Sequence, residues 1–261
     1  MKLFTNKPGG AYNCEREELH MTRSDPHPPS RRAAIVTGAS RGLGLALARS
    51  LAARGWSLVL DARTADDLEA AARELARATV VRAIPGDVTD PAHRGALVAA
   101  AADLGRLDLL VNNASVLGPS PQPALAAYPL DALEEVYRVN VLAPLALTQL
   151  ALPLLRAGRG RVVNITSDAS VEAYEGWGGY GSAKAALDQL TSVLAVEEPD
   201  VRVYAVDPGD MNTRLHQEAF PGEDISDRPP PEASVPGLLE LVEGERPSGR
   251  YRVRDLVGST V

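Results

Sequence analysis

The sequence predicts a single α/β domain, a doubly wound parallel sheet of about seven strands with helices on both faces. Three observations point there. From Ala33 onward, short β-branched or apolar runs alternate with longer Ala- and Leu-rich stretches of helical period, the pattern of strands joined by crossover helices. The run Leu107 to Asn112 is nearly all apolar apart from Asp108, as a strand covered on both faces is. No Pro-, Gly- or Ser-rich linker divides residues 33 to 261.

The elements follow in order. Ala33 to Thr37 reads as the first strand, and Leu43, Leu47 and Leu51 then recur at steps of four, laying one apolar stripe along a helix. Gly55 ends that helix. Ser57 to Asp61 is the second strand, followed by a helix with Leu68, Ala71, Ala72 and Leu75 on one side. Thr79 to Ile84 is the third, a helix runs from about Pro91 to Ala102, and Leu107 to Asn112 is the fourth. Leu130 to Leu155 is mostly helical. Arg161 to Thr166 is the fifth strand, Gly179 to about Ala195 a helix, Val201 to Val206 the sixth strand, and Tyr251 to Val253 the seventh. Residues 1 to 32 are polar and mixed in charge, without apolar period, and read as a flexible N-terminal extension. Met21 stands a short distance before the first strand, so a chain starting there keeps everything the fold needs.

The 261 residues carry a net charge of −7 with 45% hydrophobic and 23% charged side chains. That balance suits a globular domain and argues against nucleic acid or an anionic membrane surface as partner, since either wants clustered Lys and Arg. The apolar stretch Val141 to Leu155 carries Gln149 and two prolines, short of a membrane span. Cys14 is the single cysteine, so no intrachain disulfide framework is available and the cytoplasm is the expected location. No metal is expected.

The chemistry concentrates in two places. Thr37 to Gly44 reads TGASRGLG, with Gly38, Gly42 and Gly44 between the first strand and first helix. Backbone N–H groups at a helix N-terminus accept a pyrophosphate there, where side chains would obstruct its approach. In GGYGSAKAAL, Tyr180 and Lys184 stand four residues apart, and Ser167 lies thirteen residues before Tyr180. Residues i and i+4 share a helix face, so the ammonium can lie near the phenol oxygen. A free phenol has a pKa of about 10 and needs a nearby cation to work near neutral pH. Ser167, at the C-terminal end of the fifth strand, is placed to donate to an oxygen gaining negative charge. Together these residues point to an oxidoreductase passing a hydride between a dinucleotide and a small-molecule carbonyl or alcohol, with Tyr180 as acid/base.

The glycine spacing departs from GxGxxG and resembles the TGxxxGxG turn of the short-chain dehydrogenase/reductase family. The resemblance extends through Asn112-Asn113-Ala114 (the family's NNAG), Asn140 in RVNVLAP, Ser167 in VVNITSDAS, Tyr180 and Lys184 as YxxxK, and Pro208-Gly209. It implies a Rossmann fold, a catalytic set of Asn140, Ser167, Tyr180 and Lys184, and a homodimer or homotetramer. It further implies cofactor contacts from Thr37, Gly38, Ser40, Arg41, Gly42, Leu43 and Gly44 in the turn. Asp87, Val88, Asn113, Ala114, Pro208, Gly209 and Thr213 join them, with Tyr180 and Lys184. By the same resemblance Lys184 also holds the nicotinamide ribose and Asn140 anchors a water of a proton relay. The compact junction before the sixth strand resembles sepiapterin reductase and benzil-reductase-like members.

At the end of the second strand, LVLDAR, Ala62 falls where NAD-preferring members place a ribose-binding Asp. Arg63 and Arg41 supply cations for a 2′-phosphate, so NADP(H) is expected over NAD(H). Asp61 comes one residue early, and strand alternation turns its side chain elsewhere; a register shift would reverse the preference. Leu117, Trp177, Met211 and the 171–175 segment are candidate pocket walls. The segment after Pro208 reads as loop with at most a short helix, a candidate lid. Two other readings stand beside the leading one: a catalytically silent NADP-binding sensor or scaffold on the same fold, and a different catalyst such as an epimerase or dehydratase.

Overall fold

The structure, a computed structural model, describes residues 31–256. Seven parallel strands form one sheet: β1 (Ala33–Val36), β2 (Ser57–Ala62), β3 (Val81–Pro85), β4 (Leu109–Asn112), β5 (Arg161–Ile165), β6 (Arg202–Asp207) and β7 (Gly249–Arg252). Their spatial order is β3-β2-β1-β4-β5-β6-β7, with register Ile35↔Val59 on one side of β1 and Ile35↔Leu110 on the other. The chain therefore reverses its direction of travel across the sheet between β1 and β4. A crevice opens at the C-terminal ends of those two strands, where open α/β sheets bind ligands.

The period of two along the strands sorts the core into two layers. Ala34, Val36, Leu58, Leu60, Leu109, Val111, Tyr204 and Val206 face one side and pack with α1 (Gly42–Ala53) and a later helix, α8 (Val235–Glu243). Ile35, Val59, Leu110, Val162 and Val203 face the other, against α3 (Pro91–Asp103) and α5 (Ala143–Gly158). Burial of both strand faces accounts for the nearly continuous apolar runs.

Boundaries shift for local reasons. β3 begins two residues later than expected because Thr79 still belongs to the exit of α2 (Ala65–Leu75): its N–H donates to Leu75 O and its hydroxyl to Trp56 O at 2.7 Å. At the last strand, Val253 already starts the short helix α9 (Val253–Leu256). The expected N-terminal extension lies outside the described residues apart from Arg31 and Arg32. Arg32 is tied down by an ion pair with Glu243 at 3.1 Å and sits 4.3 Å over the Trp56 ring.

The expected long helix is continuous but not uniform. α4 (Leu130–Tyr137) passes through a π-helical segment, Arg138–Leu142, into α5. The run Leu130–Gly158 is long and apolar enough to cross a membrane by length and composition, which corrects the shorter count from the sequence. Its buried face, including Leu147, Ala151 and Leu155, packs in the core, as the core helix of a sheet protein does. After β6 come α7 (Arg214–Ala219) and α8, joined by irregular chain. α8 is an element that the sequence pattern does not predict.

Candidate active site

One cavity of about 670 Å³ lies along the C-terminal edge of the sheet, and most of the residues singled out in the sequence line it. The glycine turn forms one end. Gly38 and Gly42 have φ of +64° and +55°, conformations open to glycine. A Cβ on Gly44 would stand 2.4 Å from Gly38 O, so the turn closes only without one. Arg41 caps α1 in extended conformation with no side-chain cap bond, leaving the first N–H groups of the helix available. Ser40, Arg41, Gly42 and Leu43 line the cavity with Gly38.

Thr37 and Gly44 stand behind this wall rather than on it. The Thr37 hydroxyl accepts from the N–H groups of Asn113 and Ala114, both at 3.0 Å, and the Asn113 amide donates to Thr37 O at 2.8 Å and Gly38 O at 3.2 Å. These bonds lace the end of β4 to the glycine turn. A Cβ on Gly38 would come within 3.0 Å of Ala114 Cα, which shows how closely the two backbones approach.

Arg63, Asp87 and Val88 line the same end. Burial acts to raise the Asp87 carboxyl, but hydrogen bonds from the Thr89 N–H and hydroxyl, both 2.8 Å to Oδ1, outweigh it and with Arg63 hold the carboxyl below its ordinary range. Asp61, expected to point away from a ribose, is 1% exposed and bonded to His93.

At the other end of the cavity, Ser167 follows β5, and Tyr180 and Lys184 sit on α6 (Gly178–Glu197). All three line the cavity. Tyr180 is 6% exposed and meets Trp177 edge-on with ring centroids 5.8 Å apart. Lys184 is 2% exposed; its ammonium donates to Ile165 O at 2.8 Å and lies 5.4 Å from the Tyr180 ring centroid. Burial drives the lysine down to about 8, opposed by Asp188. The phenol behaves differently from the sequence expectation. Burial pushes Tyr180 up; the Ser115 hydroxyl draws it down, while Asp168 and Asp207 add to the rise. Ser115, which draws the phenol down, also donates to Asn140 Oδ1 at 3.1 Å, and the Lys184 ammonium is held on Ile165 O.

Ser167 is also engaged. Its hydroxyl donates to Asp168 Oδ1 at 2.9 Å and accepts from Ala169 N–H at 3.2 Å. Asp168 in turn takes the Tyr174 hydroxyl on Oδ2 at 3.0 Å. Asn140 is fully buried, turned inward by the π-helical segment, and does not line the cavity. Its Oδ1 accepts from Val116 N–H at 3.0 Å and Ser115 Oγ at 3.1 Å, and its amide donates to Val116 O at 2.8 Å. It braces the chain after β4.

The far wall is the segment after β6. Pro208, Gly209 and Thr213 line the cavity, followed by residues of α7, whose Thr213 cap accepts from His216 N–H at 3.3 Å. Phe220 packs on Trp177 at 5.9 Å, fastening the segment to the start of α6. Of the expected pocket walls, Trp177 and Met211 are in place. Leu117 is instead packed beneath Tyr180, and the 171–175 segment lies off the cavity. Asp168 and His216 of α7 also line the cavity; in the sequence the first is marked only by adjacency to Ser167 and the second by nothing.

Residues 32–224 match the family described as short chain dehydrogenase. The chain is 36% identical over 203 residues to 2-(R)-hydroxypropyl-CoM dehydrogenase of Xanthobacter autotrophicus, covering 76% of this chain and 81% of that one. Sepiapterin reductase of Xenopus laevis is 36% identical over 199 residues, covering 71% and 75%. Among solved structures, a short chain dehydrogenase from Shigella flexneri complexed with NADP superposes with a TM-score of 0.79 at 28% identity, covering 85% of this chain and 97% of that one.

Proposed function

This chain belongs to the short-chain dehydrogenase family, whose members act on CH–OH or C=O groups, and from that premise we propose that it is an NADP(H)-dependent carbonyl reductase or alcohol dehydrogenase with Tyr180 as proton donor. The observation that carries the reading is the convergence of Ser167, Tyr180 and Lys184 on the cavity that begins at the glycine turn. A pure dinucleotide sensor has no use for a buried phenol and a buried ammonium at the opposite end.

The residues present fit a phosphorylated dinucleotide. The uncapped α1 N-terminus and the approach of Gly38 to Ala114 make a backbone cradle for pyrophosphate. Arg41 and Arg63 supply cations beside it. When bound, the nicotinamide supplies the hydride. Tyr180 delivers the proton to the carbonyl oxygen as that oxygen gains charge, or removes it in the reverse direction. Ser167 donates its hydroxyl to the same oxygen, which requires it to turn from Asp168. Lys184, anchored on Ile165 O, holds ribose and, when protonated, favours the phenolate left after transfer. Asn140 keeps Ser115 and Val116 in position beside the phenol.

Leu130, Leu142, Leu150, Val193 and Val196, on α4, the π-helical segment, α5 and α6, are exposed, which supports a homo-oligomer formed through those helices. A cytoplasmic enzyme is the simplest setting for NADP(H) chemistry.

Screening the protein with NADPH against aldehydes, ketones, diketones and pterins tests the activity. One-to-one consumption of NADPH with alcohol formed is expected. Product formed without net cofactor consumption would point to an epimerase or dehydratase.

A further inference from the structure

Asp61, at the end of β2, has both carboxylate oxygens held. Oδ1 lies 2.6 Å from His93 Nε2, and Oδ2 accepts from Gly38 N–H at 3.4 Å. Both side chains of the pair are buried, at 7% exposure for His93 and 2% for Asp61. The imidazole fills the space that a side chain at position 86 would need: a Cβ on Gly86 would stand 2.3 Å from His93 Nδ1. Three segments bounding the nucleotide end of the cavity thus meet at one carboxylate and one imidazole. They are the glycine turn, the end of β2 and the Gly86-Asp87 corner. The reaction as derived above makes no use of His93.

We propose that His93 is a specificity-determining positioning residue: by holding the Asp61 carboxylate inside the fold it keeps an anion away from the ribose end of the cavity and makes the site selective for the phosphorylated dinucleotide. The inference rests on the NADP(H) reading. A carboxylate at the end of β2 is suited to accept from the two hydroxyls of an unphosphorylated ribose and to repel a 2′-phosphate. Asp61 borders the cavity, one residue from the position where that role would be filled. What separates the two outcomes is which partner its oxygens take. Here Oδ1 takes the imidazole N–H, and Oδ2 takes the turn itself. Asp87 is a second negative group close enough to act on Asp61, with Arg63 acting on Asp87. Releasing Asp61 would therefore add a mobile charge where the phosphate must be accepted. A merely structural pair would, when broken, weaken both dinucleotides alike; a selectivity device changes their ratio.

Quenching of tryptophan emission on titration with NADPH and with NADH gives both dissociation constants without any substrate. In His93→Ala the ratio of the NADH to the NADPH constant is expected to fall about tenfold or more. His93→Gln, whose amide can still donate to Oδ1, should keep the ratio within about twofold. Asp61→Ala combined with His93→Ala should restore it, since no carboxylate remains to be released. Should His93→Ala fail to fold, His93→Asn, too short to reach Oδ1 yet able to hydrate the gap, gives the same reading. A folded His93→Ala or His93→Asn protein with the wild-type ratio overturns the inference. Wild-type protein that binds NADH as tightly as NADPH contradicts the underlying NADP(H) reading instead.

Discussion

The two ends of the cavity are built from different materials. The proposed nucleotide end is shaped chiefly by backbone: glycines at positive φ, the first N–H groups of a helix, and Thr37 and Asn113 lacing two strands together. The proposed catalytic end is side chain, with a buried phenol, a buried ammonium and a hydroxyl already engaged by a neighbouring carboxylate. The glycine turn of the first end is preorganised by steric necessity, with the buried Asp61–His93 pair behind it. The second is poised by electrostatics, and each of its groups holds a partner that competes with catalysis. Substitutions in the glycine turn should therefore act through space, and those around the phenol and ammonium through charge.

The largest effect sharpens the steric half of that contrast. Gly44→Ala forces a Cβ to 2.4 Å from Gly38 O and 2.6 Å from the Asn113 amide. Overpacking of this kind costs about 1–3 kcal/mol, and the turn can relieve it only by opening. Loss of measurable NADPH binding in fluorescence titration, with a lowered Tm, is expected; near wild-type affinity would mean that the turn tolerates bulk.

Lys184 offers the next test, on the electrostatic half. Its pKa is pushed down to about 8 from an unfolded value near 10.5, so between these values the unfolded chain binds more protons and stability rises with pH. Below about 8 both states are charged and the full cost of burying the ammonium is present. Tyr180 is pushed upward, so above about 10 its contribution falls with pH and opposes that of Lys184. Stability measured by denaturation should therefore increase from about pH 8 to about pH 10. Lys184→Met should flatten this rise and be more stable than wild type at pH 7 by about 1–2 kcal/mol, despite losing the bond to Ile165 O, while its turnover falls. A less stable variant would mean that the hydrogen bond outweighs the buried charge.

The smallest effect concerns Asp168, which holds the Ser167 hydroxyl and raises the Tyr180 pKa. Asp168→Ala frees the serine and removes a negative neighbour. The basic pKa in the pH profile of alcohol oxidation should move down, with turnover up by roughly two- to fivefold; an unchanged profile would show that Asp168 does not reach the proton transfer.

The same contrast explains which features are legible in the sequence. The nucleotide end and the sheet were legible because they follow local rules. Strand period places Ile35 and Val59 on one face and Val36 and Leu60 on the other, and glycine spacing marks the turn. The positions of Ser167, Tyr180 and Lys184 were legible for a similar reason, being fixed by a strand end and by helical spacing. Their partners were not. That Lys184 donates to Ile165 O, or that Asn140 is turned onto Ser115 and Val116, depends on tertiary approach and on a π-helical segment that leaves no mark in the sequence RVNVL. Helix α8 was hidden by Pro236 and Gly237 near its start, although Leu238, Leu239, Leu241 and Val242 bury into the core. Gly237 is there because Val253 packs against it, with its side chain 2.8 Å from where a Cβ would be, a long-range reason no local pattern carries.

Tyr180→Phe, assayed for NADPH affinity and for turnover of a carbonyl substrate that the wild type reduces, tests the proton-donor assignment most directly. The ring is retained against Trp177 and Leu117, so binding should stay within about twofold while kcat falls by about 10²–10⁴. Reduction at the wild-type rate with intact cofactor affinity would contradict the account.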